Sequence, residues 1–229
     1  MDIAIVAGTG AEGMGLAMRF ARAGHRIVLG SRSEGRAAQC ANEVRDRVGA
    51  SAKVEGLANP DAAQACELAF VTAPFAGQAE VYGSIAEHVR PGAIVVDTTS
   101  PLASALGGPA WQVVQPWAGS AAEQAASLLP ETVRLVAGFH TLAAALLQDL
   151  DSEIDDDVFL SGDDDVAKSL VGRLVEDIPN LRWADVGDLS TARITESLTA
   201  LLISVNREYR IRNSGLRLTG RNVWGAPER

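Results

Sequence analysis

Short apolar runs alternate along this chain with longer stretches in which apolar residues recur at every third or fourth position. The clearest runs are Asp2–Val6, Arg26–Gly30, Leu68–Ala73 and Ile94–Asp97. A continuous apolar run is typical of a strand buried on both faces, whereas the wider spacing predicts a helix with one buried face. The alternation therefore predicts an α/β fold of the Rossmann type, with a doubly wound and mostly parallel sheet.

The same pattern continues to the C-terminal part of the chain. It predicts helices at 13–23, 34–48, 77–88, 120–129, 166–177 and 189–205, and further strands at 53–57, 133–138, 158–161 and 181–185. The segment 100–117 carries two of the four tryptophans, Trp111 and Trp117. Long loops of this kind often bind ligands, so the two rings could stack on an aromatic ligand or simply cover an apolar edge.

The first apolar run ends in glycines that lead directly into a predicted helix. Gly8 allows a tight turn, Gly10 permits close approach of a ligand to the backbone, and Gly13 lets the helix pack near the strand. Thr9 lies inside this loop, and the helix N-terminus adds N–H groups and the positive end of its dipole. The pattern predicts the pyrophosphate site of a dinucleotide, with a glycine turn that binds nothing as the alternative.

The end of the second strand indicates which dinucleotide is bound. An NAD-binding chain carries Asp or Glu there, but this chain has Ser31, Arg32 and Ser33, with Arg36 one helical turn further on. Guanidinium and hydroxyl groups suit the 2′-phosphate of NADP. The alternative is a solvated surface in which Glu34 pairs with one of the arginines.

Two further candidates follow strands at the edge where ligands bind in open α/β sheets. Thr72 and Pro74 end the fourth strand and would border the ribose or nicotinamide, although Pro74 could equally be a strand stop. His140 follows the strand at 133–138, where it could orient a substrate carbonyl or act as an acid. A lone histidine is, however, more often a structural donor.

Composition narrows the classes of function. The chain has 229 residues, a net charge of −9 and an isoelectric point near 4.8, which argues against nucleic acid or an anionic membrane as a partner. Without a basic leader or an apolar run near the roughly 20 residues that span a bilayer, we predict a cytoplasmic protein. Cys40 and Cys66 lack a metal or redox spacing, and the acidic run 149–165 lacks a Ca²⁺ loop, so we predict no metal site and a solvated acidic face.

The predicted helix 189–205 is apolar nearly all round, so it must be buried in the core or against another subunit. A homodimer is the simplest way to cover it. The following tail, 206–229, has six Arg and two Glu. It could meet an acidic partner surface or an anionic ligand, or it could be exposed.

Taken together, these motifs resemble those of the F420-dependent NADP reductases, over about residues 1 to 205. The resemblance implies a homodimer that passes a hydride between NADPH and the 8-hydroxy-5-deazaflavin coenzyme F420. It also implies an NADP-binding domain at 1–138 and a smaller part at 139–229 that completes the deazaflavin site and the dimer interface. By resemblance, Thr9, Ser31, Arg32 and Arg36 hold the 2′-phosphate, Thr72, Pro74 and Ala137 border the nicotinamide, and His140 lines the deazaflavin. The motifs that carry the resemblance are Gly8-Thr9-Gly10 with Gly13 and Gly15, Gly30-Ser31-Arg32, Thr72-x-Pro74, His140-Thr141, Gly162-Asp163-Asp164-Asp165 and Leu189-Ser190 through Thr199.

Hydride transfer between two stacked rings needs a dry and well-positioned site but no nucleophile and no metal. We therefore expect no obligatory acid or base, with His140 giving a supporting hydrogen bond. Two alternatives stay open at this point. One is an NADP-dependent dehydrogenase or imine reductase acting on a small carbonyl or imine, which would need a proton donor. The other is a non-catalytic module that senses NADP.

Overall fold

The computed structural model describes residues 1–220 and 224–227. Short 3₁₀ turns at Ala103–Leu106 and Leu189–Thr191 connect some of the regular elements. The strands are β1 Asp2–Val6, β2 Arg26–Ser31, β3 Val54–Ala58, β4 Leu68–Val71, β5 Ile94–Asp97, β6 Arg134–Ala137, β7 Asp157–Gly162 and β8 Arg182–Asp185. The α helices are α1 Ala11–Arg22, α2 Glu34–Val48, α3 Asn59–Ala65, α4 Phe75–Ile85, α5 Ala121–Leu128, α6 Ala144–Gln148, α7 Asp165–Glu176, α8 Ala192–Thr195 and α9 Leu198–Tyr209.

All eight strands form one sheet in the order β3-β2-β1-β4-β5-β6-β7-β8. The β6–β7 pair is antiparallel and the other pairs are parallel. The strand order reverses beside β1, which has β2 on one side and β4 on the other. Ligands bind at such a switch point in doubly wound folds. The predicted Rossmann-type fold is confirmed, while the boundary between 138 and 139 stays a prediction.

Helices cover both faces of the sheet, and each face has its own apolar core. One core contains Leu16 and Phe20 of α1, together with residues of α2 and α7. The other contains Tyr82 of α4 and alanines of α3 and α5. At the far edge, the buried ammonium of Lys168 on α7 donates to Asp185 of β8 at 2.8 Å. That ion pair ties the last strand to its helix.

The prediction of one long helix over 189–205 is wrong. A 3₁₀ turn and α8 come first, the regular helix is interrupted at Glu196 and Ser197, which keep right-handed helical backbone angles, and α9 follows. The Glu196 carboxylate accepts hydrogen bonds from the backbone N–H groups of Ala121 and Ala122, at the start of α5. The Ser197 hydroxyl donates to the carbonyl of Arg193, a bond that tends to bend helices. Buried tertiary contacts thus override a continuous apolar pattern.

The helix is also less buried than predicted. In α9, Ala200 and Leu202 are buried, whereas Leu201 is 52% exposed. Ile194 in α8 is 66% exposed. The apolar side chains of this segment therefore divide between the core and an outer surface of the chain.

The acidic run is not uniformly solvated, which corrects the prediction for two of its residues. Asp156 and Asp157 are buried and accept hydrogen bonds from the backbone N–H groups of Leu216 and Leu218 in the basic tail. Arg217 of the tail pairs with Asp157 at 2.7 Å. The tail thus folds back onto the acidic run of its own chain, while Arg221 and Arg229 lie outside the described residues.

Among the residues that the structure describes, no helix is long and apolar enough to cross a membrane. Within the same residues, no group of three or more His, Cys, Asp or Glu side chains could hold a metal ion.

Candidate functional site

A cavity of about 840 Å³ lies at the carboxyl ends of β1, β2, β4 and β5, beside the switch point of the sheet. It collects candidates from distant parts of the sequence. The lining residues are Ala7, Thr9, Gly10, Ala11, Glu12, Ser31, Arg32, Asn59, Thr72, Ala73, Pro74, Phe75, Ala76, Gly77, Glu80, Val81, Thr98, Thr99, Ser100, Leu102, His140, Leu142 and Thr199.

The three glycines of the loop have different surroundings. A Cβ on Gly8 would lie 2.4 Å from the carbonyl oxygen of Ile5, and one on Gly13 would lie 2.5 Å from the Cα of Gly8. A Cβ on Gly10 would meet nothing within 4 Å. Gly8 and Gly13 are therefore required by packing. Gly10 instead leaves open space at the N-cap of α1, where an anion can approach the helix N-terminus.

Two residues at this edge take the left-handed backbone conformation. Ala7, directly after β1, has φ 54°, and Phe139, directly before His140, has φ 69°. The Ala7 N–H donates to the Asn59 side-chain oxygen at 2.9 Å, and the Thr72 hydroxyl donates to the Ala7 carbonyl at 3.3 Å. Such strained positions persist only when their surroundings hold them, and they cluster at ligand sites. Sequence analysis missed Ala7 and Asn59 because no local motif marks them.

The end of β2 places Ser31 and Arg32, but not Arg36, at the cavity. Ser31 is buried, and Arg32 is exposed with no hydrogen-bond partner among the described residues. Arg36 lies on α2, where its guanidinium is within hydrogen-bond distance of Gln39 at 3.4 Å. Within the described part of the chain, Glu34 forms no ion pair with either arginine. The structure therefore does not support the alternative in which Glu34 pairs with one of these arginines.

His140 is a buried and uncharged hydrogen-bond acceptor at the other end of the cavity. Its Nδ1 lies 3.2 Å from the carbonyl oxygen of Thr98. Because a carbonyl only accepts, Nδ1 must carry the proton, which leaves Nε2 as an acceptor. Nε2 has no partner among the described residues. Burial lowers the pKa of His140 to about 4, against the opposing effect of the Thr98 carbonyl. This histidine is therefore not an acid at neutral pH.

A network of buried polar groups supports the cavity from behind. The Asp97 carboxylate accepts hydrogen bonds from Tyr82 at 2.9 Å, Thr99 at 2.8 Å and Gln78 at 3.2 Å. Burial raises the pKa of Asp97 to about 6, although these hydrogen bonds favour the ionised form. The network fixes the backbone where β5 meets the cavity. It was not predicted, because its members are far apart in sequence.

Glu12, in the first turn of α1, was also missed. It lines the cavity between the glycine loop and the end of β5. Burial raises the pKa of Glu12 to about 7, a hydrogen bond from the Thr98 side chain lowers it, and the charge of Asp97 raises it. An ionisable group thus lies inside the cavity with a pKa near neutrality.

The far wall is built from the segment after β5 and the start of α9. The hydroxyls of Ser100 and Thr199 are 2.7 Å apart, and Thr199 donates to the carbonyl of His140 at 2.8 Å. The Arg207 guanidinium lies over the Trp111 ring, 4.1 Å from its centroid. These contacts hold the loop against α9.

Three other candidates lie away from the cavity lining. Trp117 is 79% exposed, and Trp111 packs under Arg207. Ala137 is fully buried in β6, where it pairs with Asp97. Neither tryptophan lines the cavity, so the structure favours a covering role for Trp111 over stacking on a ligand.

Comparisons with known proteins agree with this architecture. Residues 2–101 match the model of a family described as NADP oxidoreductase coenzyme F420-dependent. A protein of Methanothermobacter marburgensis named F420-dependent NADP reductase is 39% identical over 225 residues, which is 96% of this chain and 98% of that protein. A protein of the same name from Methanocaldococcus jannaschii is 35% identical, over 97% of this chain and 100% of that protein.

Solved structures of other proteins are similar to this chain in fold. A putative F420-dependent NADP-reductase from Arthrobacter sp. FB24 superposes with a TM-score of 0.82 at 26% identity, covering 96% of this chain and 100% of that one. An imine reductase from Streptomyces aurantiacus gives a TM-score of 0.60 at 18% identity, and this chain covers 64% of it. At that identity the likeness extends to the fold alone.

Proposed function

The chain belongs to the family of F420-dependent NADP reductases, and we propose that its cavity holds NADP(H) and the deazaflavin of F420 with their rings in contact. The enzyme transfers a hydride between NADPH and F420. One observation carries the assignment of the site. A single cavity joins the Arg32 guanidinium at the end of β2, an open helix N-terminus at Gly10 and the acceptor nitrogen of His140, and neither side chain's free group has a partner there among the described residues.

The parts of the nucleotide lie along the sheet in the order of the strands, from the end of β2 past β1 to β4. Ser31 and Arg32 bind the 2′-phosphate, because a free guanidinium and a hydroxyl supply several donors to one anion. The pyrophosphate lies over Gly10 at the N-terminus of α1, with Thr9 beside it. Thr72 and Pro74 then border the nicotinamide. Ala137 lies behind this region in β6 and supports it indirectly, through its pairing with Asp97.

The deazaflavin lies against the far wall. Leu102 and Leu142 give that part of the cavity apolar surface, and Thr199 adds a hydroxyl. The acceptor at His140 Nε2 needs an N–H donor. Both the nicotinamide carboxamide and the pyrimidine part of a deazaflavin carry one. The residues present therefore fit both coenzymes.

The two coenzymes supply the hydride chemistry when they are bound, and the protein contributes position and dryness. Apolar side chains exclude water, and the polar ones fix the orientation of each ring. His140 orients a ligand through its acceptor nitrogen. A dehydrogenase or imine reductase mechanism would instead need a proton donor at this position. A histidine with a pKa of about 4 is not suited to that role.

We further propose that a second copy of the chain covers the surface formed by α8, α9 and the loop 103–117, here called the outer face. Ile194, Leu201, Leu106 and Trp117 on these elements are all more than half exposed. This supports the homodimer that the resemblance implies. The cytoplasmic location stays a prediction, consistent with two free cysteines that are both buried.

Replacement of Arg32 tests the nucleotide assignment. We expect Arg32→Ala to weaken NADPH binding by about 1.5 to 3 kcal/mol, the value of a hydrogen bond to a charged group. NADH lacks the 2′-phosphate, so its binding should hardly change. Both affinities can be measured by titration against nucleotide fluorescence.

Arg173→Ala is the matched control, because Arg173 is exposed on α7, outside the cavity lining. It should cost much less NADPH affinity than Arg32→Ala. Equal losses for NADPH and NADH in the Arg32 variant would contradict the placement of the 2′-phosphate.

A further inference from the structure

The charged side chains that line the cavity are separated along its length. Arg32 lies at the end of β2, while Glu12 and Glu80 line the part next to β4 and β5. The Glu12 side chain interacts with that of Thr98, which directly follows β5, and with the charge of Asp97 behind it. Among the described lining residues, no Lys or Arg other than Arg32 is present. The cavity is therefore cationic at one end and acidic at the other.

This separation of charge in the cavity is complementary to NADP⁺, the oxidised form, which has anionic phosphates at one end and a positive nicotinamide ring at the other. The phosphates of NADP are anionic in both forms, but the nicotinamide ring carries a positive charge only when it is oxidised. If the 2′-phosphate lies at Arg32, the chain of strands places the ring on the β4–β5 side of the cavity. That is the side where Glu12 lies.

Resting on the proposed function, we propose that Glu12 is the residue that distinguishes oxidised from reduced nucleotide. Its ionised carboxylate stabilises the positive ring of NADP⁺, and its protonated form favours the neutral ring of NADPH. Glu12 acts here as a specificity residue and takes no part in the transfer of the hydride itself.

The direction of the pH dependence follows from whether the Glu12 carboxyl group is protonated or ionised. With a pKa of about 7, Glu12 is mostly neutral below neutral pH and mostly ionised above it. The affinity for NADP⁺ relative to NADPH therefore rises with pH. By linkage, the positive ring of NADP⁺ favours the ionised form of Glu12, so NADP⁺ releases more protons on binding than NADPH does, while the effects of the phosphates are common to both nucleotides.

Other groups near Glu12 could also titrate. The pKa of Asp97 is raised to about 6 and that of His140 is lowered to about 4, so Asp97 changes charge in the same range. The 2′-phosphate titrates near pH 6 as phosphate monoesters do, but it is common to both nucleotides and cancels in their affinity ratio. The charged groups that face Glu12 or the adjoining glycine loop are Asp97 of β5, Glu80 of α4, His140, and Glu43, Asp46 and Arg47 of α2.

The test is to measure the dissociation constants of NADP⁺ and NADPH between about pH 5.5 and 8.5, by calorimetry, without F420. In the wild-type protein, the preference for NADP⁺ over NADPH should rise about tenfold or more across this range, because a charge nearby shifts a carboxyl pKa by about 1 to 3 units. In Glu12→Gln the preference should not change with pH above about pH 7, where Asp97, with a pKa of about 6, is already ionised. Glu131→Gln, an exposed residue before β6 with the same charge change, should retain the wild-type slope.

A second measurement needs no variant. Calorimetry in two buffers of different ionisation enthalpy should show that wild-type protein releases more protons when NADP⁺ binds near pH 7 than when NADPH binds. A wild-type ratio that is flat, a slope above about pH 7 that survives in Glu12→Gln, or equal proton release with both nucleotides would overturn the role of Glu12 while NADP binding stands. Failure of the wild type to bind either nucleotide would overturn the proposed function as well.

Discussion

At the scale of single residues, a contact with the backbone and burial together determine the tautomer and the charge of His140. The Thr98 carbonyl fixes the proton on Nδ1, and burial lowers the pKa to about 4. From the sequence, His140 was a candidate for an acid, for an orienting group or for a structural donor. The structure leaves it as a neutral acceptor in the lining of the cavity, because its protonation would require a pH far below neutrality.

We expect His140→Ala to slow turnover by about 2- to 13-fold, since one hydrogen bond of about 0.5 to 1.5 kcal/mol is lost. The pH profile of kcat/KM should keep its shape above about pH 5, because His140 is already unprotonated there. Steady-state kinetics across pH would check both points, with His25→Ala as a control at the ion pair with Asp177. A fall to the uncatalysed rate with the fold intact would instead favour acid–base catalysis.

At the scale of elements, the glycines of the loop after β1 have two different roles, because Gly13 is needed for packing and Gly10 for ligand binding. Gly10→Ala should leave the melting temperature nearly unchanged, because its Cβ meets open space, but it should weaken both NADPH and NADH at the pyrophosphate. Gly13→Ala should be strongly destabilising, by about 1 to 3 kcal/mol, because its Cβ would collide with the backbone of Gly8. Thermal unfolding with nucleotide titration checks the pair. Equal destabilisation by the two substitutions would contradict this division.

The sequence predicts the elements that are determined by neighbouring residues in the chain. The strand β1, the glycine loop and Arg32 at the end of β2 follow from periodicity and short motifs. The interruption of the helix at Glu196 could not be predicted, because the partners of the Glu196 carboxylate are the N–H groups of Ala121 and Ala122, far away in sequence. Glu12 was missed for a similar reason, since its environment is set by β5.

At the scale of the whole molecule, the outer face leaves apolar area without cover. Contacts such as Ser100–Thr199 and Arg207–Trp111 hold the loop after β5 against α9, so their exposed side chains lie on adjoining elements. Thr199 and Leu102 on these same elements line the cavity. A second copy on the outer face would therefore stabilise one wall of the site.

We expect the wild-type protein to sediment as a dimer and Leu201→Glu to sediment as a monomer, because a charge in an apolar interface is costly to bury. Val166→Glu is the matched control, since Val166 is 69% exposed on α7, away from the outer face. Sedimentation velocity distinguishes the two states. A monomeric wild type, or a dimer that is unaffected by Leu201→Glu, would contradict this interface.

We propose that the cavity brings NADPH and F420 together for direct hydride transfer. It is tested most directly by mixing purified protein with NADPH and F420 and following the loss of the deazaflavin's visible absorbance, with FMN and FAD in parallel. We expect the protein to reduce F420 and neither of the two flavins. Binding of NADPH without reduction of F420 would contradict it.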